Sequence, residues 1–197
     1  LIGRLGLEVL KLNEEINSGE VALITEEKIS DLYIQEIITN FQECPKPEGT
    51  KLRICELLIN SHERAKNFHT VTKLLDDMAG LGLSKKCCVV ALGGGVVCDS
   101  AAWAAGCYMG GVKLVLVPTT LAAMIEASVG GNAFLNLSTG KNLAGMIHTP
   151  SLVLCDTECL RTLSPEEYKK KIASINRTER SLTDNGYLVM KIGRAHV

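Results

Sequence analysis

A chain of 197 residues, 46% hydrophobic and 22% charged, is long enough to bury a real core and has the composition of an ordinary globular protein. A formal net charge of −1 excludes a basic nucleic-acid footprint and a polybasic membrane patch. The apolar segments are short and broken by glycine or charge, so neither a membrane span nor a signal peptide is expected. Eight cysteines fit free thiols in a reducing compartment better than a disulfide scaffold, and the expected location is the cytoplasm.

Leu1 is not an initiator methionine, and the N-terminus is expected to be cut. Glu20 to Thr25 reads as a strand, and Glu26 to Asn40 reads as a helix with Ile29, Tyr33 and Ile37 at helical spacing. Pro45, Pro47 and Gly49 mark a loop, Leu52 to Ile59 a second strand. Val71, Leu74, Leu75 and Met78 form the apolar stripe of the next helix, which Gly80 and Gly82 end. Cys88 to Leu92 and Val112 to Val117 are nearly continuous apolar runs, each reading as a strand buried on both faces. Phe134 to Leu137 alternates like a short strand, Gly140 turns the chain, and Leu152 to Leu154 is one more buried strand. Ser164-Pro165-Glu166-Glu167 has the cap, proline and acid of a helix start. Strands alternating with helices predict a Rossmann-like α/β fold, a mostly parallel sheet with helices on both faces. Residues 1–175 are expected to form this domain. From Asn176 onward periodicity is lost, and Ile192 to Val197 has the look of a translated sequencing adapter, so 176–197 is set apart as a doubtful tail.

Between the third strand and an alanine-rich helix lie Gly93, Gly94 and Gly95. Such a junction exposes backbone N–H groups at a helix N-terminus, where a phosphate is favoured, although a glycine triplet alone is as readily a tight turn. Its spacing is not G-x-G-x-x-G. Asp99, just inside the helix, suits either a cap or a ribose hydroxyl. In a parallel sheet ligands bind beyond the carboxyl ends of the strands, and Thr25-Glu26, the glycine junction and Thr119-Thr120 all fall at such ends.

After Gly93 to Asp99 come Val117-Pro118-Thr119-Thr120-Leu121, Ser128-Val129-Gly130-Gly131 and Gly140-Lys141-Asn142. In that order and spacing they resemble the sugar phosphate cyclases, most closely the 3-dehydroquinate synthase family, from about Glu63 to Leu163. The resemblance implies an NAD-binding half, with a helical second half that supplies most of a zinc or cobalt site and carries both metal-ligand histidines. It implies that Gly94, Gly95, Val96, Val97 and Asp99 line the dinucleotide, with Thr119 and Thr120 in contact and Glu26 on a ribose. Glu63, Lys66 and Lys141 match cofactor-side residues, and Leu160, Arg161, Thr162 and Leu163 match a segment closing over the cofactor, with Glu167 nearby. Taken singly, Thr119-Thr120 could be a helix cap, Glu63 and Lys66 a helical ion pair, and Lys141 and Glu167 surface charges.

The implied reaction is a carbon–oxygen lyase reaction of the shikimate pathway, an NAD-dependent cyclisation of a seven-carbon sugar acid phosphate with loss of phosphate. The alternatives are a homologue with impaired chemistry, or an NAD-binding module without lyase activity. The departures from the family pattern lie on the substrate side. Glu126 replaces an aspartate, Asn132 a lysine, Gly110 a phosphate-binding arginine and Ser174 a metal-binding glutamate, whereas Asn142 is retained. Glu126, Asn132 and Asn142 are the candidate catalytic residues. The expected partner is a small sugar phosphate, with no nucleic acid or membrane, and analogy suggests a homodimer.

Overall fold

The computed structural model describes residues 19–43, 52–127, 131–156 and 159–160, within the compact unit Leu1–Arg161. The expected loop at Pro45–Gly49, the helix start at Ser164, and Ser174 lie outside the described residues. Strands β1 (Glu20–Thr25), β2 (Arg53–Leu58), β3 (Cys88–Gly93), β4 (Lys113–Pro118) and β7 (Leu152–Val153) form a sheet in the order β2-β1-β3-β4-β7. Every pairing in it is parallel. Helices α1 (Glu27–Glu43), α2 (Phe68–Gly80) and α3 (Gly95–Cys107) connect the strands, giving the Rossmann-like arrangement that the alternating pattern predicts.

The period of two along each strand divides the core. Ala22, Ile24, Val89, Ala91, Leu114 and Leu116 face one side of the sheet with Leu74 and Met78 of α2 and Ala101, Ala104 and Ala105 of α3. Val21, Leu23, Val90, Leu92, Val115 and Val117 face the other with Ile29, Ile34 and Ile37 of α1. Each fully buried side chain of this size contributes about 1.5–3 kcal/mol of transfer free energy. The alanines matter for a geometric reason, because small side chains bring α3 close to the strands and carry its N-terminus to the sheet edge.

That approach is closest at Gly93. A Cβ there would stand 2.8 Å from Cγ2 of Val97, whose own side chain is fully buried. At the strand end Gly93 opposes Pro118, which has no N–H to donate. The amide of Thr119 donates to the Gly93 carbonyl instead, at 2.9 Å, and so seats Thr119 beside the junction.

Three features depart from the sequence reading. Helix α3 begins at Gly95, one turn earlier than the alanine-rich run suggests. A π-helical turn, Ala123–Ala127, follows Thr120. After Gly140 the chain does not simply turn, since β6 (Gly140–Ile147) pairs antiparallel with β5 (Asn132–Leu137) as a separate two-stranded ribbon. The signal for β6 is weak because Leu143 and Ile147 are exposed and Gly145 sits mid-strand. That glycine has a steric cause: a Cβ at 145 would lie 2.9 Å from the Phe134 ring. Among the described residues no helix is long and apolar enough to cross a membrane, and the cysteines are free.

Gly93→Ala is expected to cost about 1–3 kcal/mol through overpacking. Combining it with Val97→Ala should cost clearly less than the sum of the two single changes. Urea denaturation of the four proteins measures this, and strict additivity would refute a direct clash.

Candidate functional site

The carboxyl edge of the sheet carries the first group of predicted residues. Thr25 closes β1 opposite Leu92, and its hydroxyl donates to the Leu92 carbonyl at 2.8 Å. Glu26 follows, half-buried, with its carbonyl accepting the first amide bonds of α1 from Ile29 and Ser30. Because β1 and β3 are neighbours, Glu26 stands beside the glycine junction at about one strand spacing, roughly 5 Å.

At the junction Gly94 is the N-cap of α3, and no side chain caps the helix. The first-turn N–H groups have no partner within a helix by construction. A Cβ on Gly94 would meet Thr120 Cγ2 at 3.4 Å, whereas one on Gly95 would meet nothing within 4 Å. The junction is thus walled by threonine on one side and open on the other. Thr120 Oγ1 accepts from the Ala123 amide at 3.3 Å and caps the π-helical turn. Thr119 is 2% exposed, and its Oγ1 has no hydrogen-bond partner. A buried hydroxyl without a partner carries an uncompensated desolvation cost, of the kind a ligand acceptor or donor removes.

Asp99 does not cap α3, one of the two roles the sequence suggests for its carboxylate. With α3 starting at Gly95 it lies beyond the first turn, and its Oδ2 pairs with Lys66 Nζ at 2.6 Å, the side chains being 12% and 8% exposed. Burial raises the Asp99 pKa above the usual carboxylate value. Lys66 and the donating Phe134 amide pull it down without cancelling the effect, and the Glu63 charge adds to the rise. One helical turn from the junction, this pair ties α3 to the 3-10 turn Glu63–Ala65 that precedes Lys66. Beneath the junction the Cys98 thiol donates to the Gly93 carbonyl at 3.7 Å, and burial raises its pKa far enough to keep it protonated.

The second group gathers on the ribbon. Asn136 Nδ2 donates to the Glu63 carbonyl and to Glu63 Oε1, both at 2.9 Å. The Asn136 amide donates to the Lys66 carbonyl at 2.8 Å, and its Oδ1 accepts from the Asn142 amide at 2.8 Å. Glu63, Arg64, Asn67, Asn136 and Lys141 line an open groove of about 450 Å³. Sequence reasoning missed Asn136, because a polar residue in an alternating strand reads as an outward-facing position.

Other candidates lie elsewhere. Glu126 is exposed on the π-helical turn, and Asn132 is exposed at the start of β5. Leu160 is half-buried against the core layer of α1. Gly110 lies between α3 and the start of β4, at the opposite edge of the sheet from the junction, roughly 20 Å away by the length of a six-residue strand. It belongs to a left-handed run, with φ of 49°, 80° and 103° at Met109, Gly110 and Gly111. An arginine at 110 would therefore have to adopt a backbone that favours glycine. Arg161, Thr162, Leu163 and Glu167 lie outside the described residues. Among those described, no group of three or more His, Cys, Asp or Glu side chains could hold a metal ion. His62 and His69 are exposed, and His148 contacts the Val112 carbonyl through Nε2 at 3.0 Å.

A parallel sheet with a glycine junction and an unpartnered threonine at its carboxyl edge defines an α/β protein with a strand-end ligand cleft. Residues 56–170 match the model described as 3-dehydroquinate synthase N-terminal, and the chain belongs to the 3-dehydroquinate synthase family. It is 34% identical over 175 residues to the 3-dehydroquinate synthase of Rhizobium leguminosarum bv. trifolii, covering 89% of this chain and 44% of that protein. To the Xanthomonas oryzae pv. oryzae synthase it is 44% identical over 124 residues, 63% of this chain and 34% of that one. The chain thus spans less than half the length of these curated relatives. Among solved structures it resembles ValA, the 2-epi-5-epi-valiolone synthase of Streptomyces hygroscopicus, with a TM-score of 0.77 and 28% identity, over 89% of this chain and 47% of that one. It also resembles 2-deoxy-scyllo-inosose synthase, with a TM-score of 0.70 and 27% identity, over 84% and 44%. Glycerol dehydrogenase from Schizosaccharomyces pombe, with a TM-score of 0.61 and 14% identity over 81% and 37%, shares the fold.

Lys66→Met leaves a buried carboxylate unpaired, at an expected cost of about 3 kcal/mol near neutral pH. A raised folded-state pKa means that the Asp99 carboxyl supports the fold most when protonated, below its unfolded value near 4. Its contribution is lost as pH rises through the folded value. Removing the lysine increases that rise, so the penalty should be greatest at pH 7–8 and shrink on acidification. Melting curves of both proteins from pH 8 to pH 5 test this, and a penalty independent of pH would refute it.

Proposed function

We propose that this chain is the NAD-holding half of a 3-dehydroquinate synthase-like carbon–oxygen lyase of the shikimate pathway, which makes aromatic amino acids. The observation that carries the reading is the β3–α3 junction, where an open glycine face, free first-turn N–H groups and the unpartnered Thr119 hydroxyl meet. These features fit a dinucleotide pyrophosphate, which needs close backbone approach and donors at a helix N-terminus. ValA is described with NAD+ and Zn2+ bound, and the inosose synthase with carbaglucose-6-phosphate, NAD+ and Co2+. Both support NAD as cofactor, and the second supports a sugar phosphate as substrate.

When bound, NAD would take a hydride from a ring hydroxyl of a seven-carbon sugar acid phosphate and return it to the same carbon once phosphate has been eliminated, before the opened ring recloses. The N–H groups of Gly95, Val96 and Val97 hold the pyrophosphate beside Gly94, and the Thr119 hydroxyl supplies a further hydrogen bond. Thr120 shapes the adjoining wall. Glu26 accepts ribose hydroxyls, its extra methylene relative to aspartate altering reach but not charge. Asp99 lines the dinucleotide and pairs with Lys66, which stands with Glu63 on the adenosine side, and Lys141 meets the cofactor from the groove wall. The family resemblance assigns Leu160, Arg161, Thr162, Leu163 and Glu167 to the cofactor as well. Glu126, Asn132 and Asn142 face the substrate. No group among the described residues could hold a metal ion, and the resemblance puts most ligands of the zinc or cobalt in the helical second half of a full-length enzyme.

Gly110 and Asn132 favour a second reading. Both are neutral where the family resemblance expects a cation, and catalysis depends steeply on preorganised charge. A homologue that binds NAD with impaired lyase chemistry would look like this. Turnover of the sugar acid phosphate by the full-length gene product supports the first reading, and NAD binding without turnover the second.

Calorimetric titration of this chain with NAD should give binding that Gly94→Asp weakens by more than tenfold. The new side chain meets Thr120 and places a negative charge at the phosphate position. No binding by demonstrably folded protein would overturn the cofactor assignment.

Thr119→Val separates function from stability. Removing a buried, unpaired hydroxyl should leave the melting temperature unchanged or raised, because no hydrogen bond is lost. NAD affinity should still fall, by about fivefold to tenfold for one hydrogen bond. A destabilised variant with unaltered affinity would show that the hydroxyl has a structural partner.

A further inference from the structure

We propose that Asn136 is a positioning residue of the cofactor groove, holding Glu63 and the Lys141-Asn142 segment in one arrangement. The inference rests on the NAD reading and extends it to a residue that sequence comparison did not single out.

The local backbone gives the reason. The β5–β6 ladder runs regularly from Asn132 opposite Ile147 to Leu135 opposite Ala144, and then Leu137 opposes Gly140. Between these pairs β5 contributes one residue, Asn136, and β6 contributes three, Lys141, Asn142 and Leu143. Such a bulge breaks the ladder and re-aims side chains, a device over-represented beside active sites. Within it Asn142 adopts φ 55°, a left-handed conformation that asparagine tolerates better than most side chains. The Asn136 side-chain Oδ1 accepts from the Asn142 amide and holds the bulge in this conformation.

The same side chain reaches the other wall of the groove. Its Nδ2 donates to the Glu63 carbonyl and to Glu63 Oε1, so the carboxylate and the turn that carries it are both fixed. One amide therefore spans two segments that contribute cofactor-side residues, and its own backbone N–H adds a bond to Lys66. The hydrophobic core does not depend on this side chain. The ribbon is anchored independently by fully buried Ala133 and Leu135 and by the Trp103 indole donating to the Ala133 carbonyl at 3.2 Å. Loss of the amide should therefore loosen the groove without unfolding the chain.

The test is NAD titration of the whole chain, with Asn136→Ala and Asn136→Asp, at pH 8 and pH 5.5, alongside melting temperatures. Asn136→Ala should bind about tenfold more weakly than the wild type at both pH values. Asn136→Asp keeps the acceptor for Asn142 but opposes a carboxylate to Glu63. Its affinity should fall further at pH 8 and recover toward that of Asn136→Ala at pH 5.5, where two close carboxylates share a proton. The other ionisable side chains around the pair are His62 before the turn, Arg64 on it and Lys66 after it, Lys141 on β6 and Asp99 behind Lys66, and they are common to all three proteins. Both variants should melt within a few degrees of the wild type. Wild-type affinity in both variants overturns the proposal while leaving the NAD reading intact, and absence of binding by the folded wild type overturns both. An affinity loss that follows a collapse in melting temperature, with no pH dependence in Asn136→Asp, also overturns it and makes the residue structural.

Discussion

The arrangement of the site depends on one buried ion pair. Lys66 and Asp99 are 33 residues apart, on a 3-10 turn and on α3, and their charged atoms meet at 2.6 Å with little exposure. Taking both charges out of water is costly, and their attraction offsets that cost only where geometry is good and further hydrogen bonds complete the set. Asp99 receives such a bond from the Phe134 amide on β5. The pair therefore joins the glycine helix, the turn and the ribbon at one point, and a shift of any of the three leaves a charge stranded. As a device for stability it is inefficient, because an apolar replacement of equal volume would do as well. Its value lies in placement, since it fixes how the ribbon stands against the helix whose N-terminus forms the cradle.

Around that point the division of labour follows from backbone chemistry. The sheet is held by apolar strands and alanines and requires no polar group. What the site requires is a strand end at which amide donors remain free, and three neighbouring residues supply it in different ways. Gly93 admits Val97, Gly95 leaves open space beyond the helix start, and Pro118, unable to donate, passes the ladder bond to Thr119. The threonine side chain is thereby fixed by a hydrogen bond that its own hydroxyl does not make.

Much of this was legible in the sequence. Continuous apolar runs such as Cys88 to Leu92 can hardly be anything but strands covered on both faces, and the helical spacing of Val71, Leu74 and Met78 leaves little choice. The strand-end placement of Glu26, the glycines and the threonine pair follows from that pattern alone. What escaped was set by contacts distant in sequence. Asp99 is a plausible cap until Lys66, on another element, claims its carboxylate. Strand β6 has a pattern blurred by Gly145, whose absent side chain makes room for Phe134, and by a bulge that interrupts alternation at the residues of chemical interest. Local propensity describes elements that bury themselves and says little about a ribbon whose shape is fixed by one asparagine.

The departures from the family pattern divide along the same line. Residues at the cradle are either retained or replaced with the charge kept, as with glutamate at 26. By resemblance, Gly110 and Asn132 stand where substrate-side cations are expected. Gly110 lies at the far edge of the sheet, in a stretch where three successive residues have positive φ. A side chain rooted there cannot reach the cradle of its own sheet, so its loss leaves the cofactor contacts untouched. On the proposed reading, the length of one strand therefore separates the change at 110 from the dinucleotide cradle.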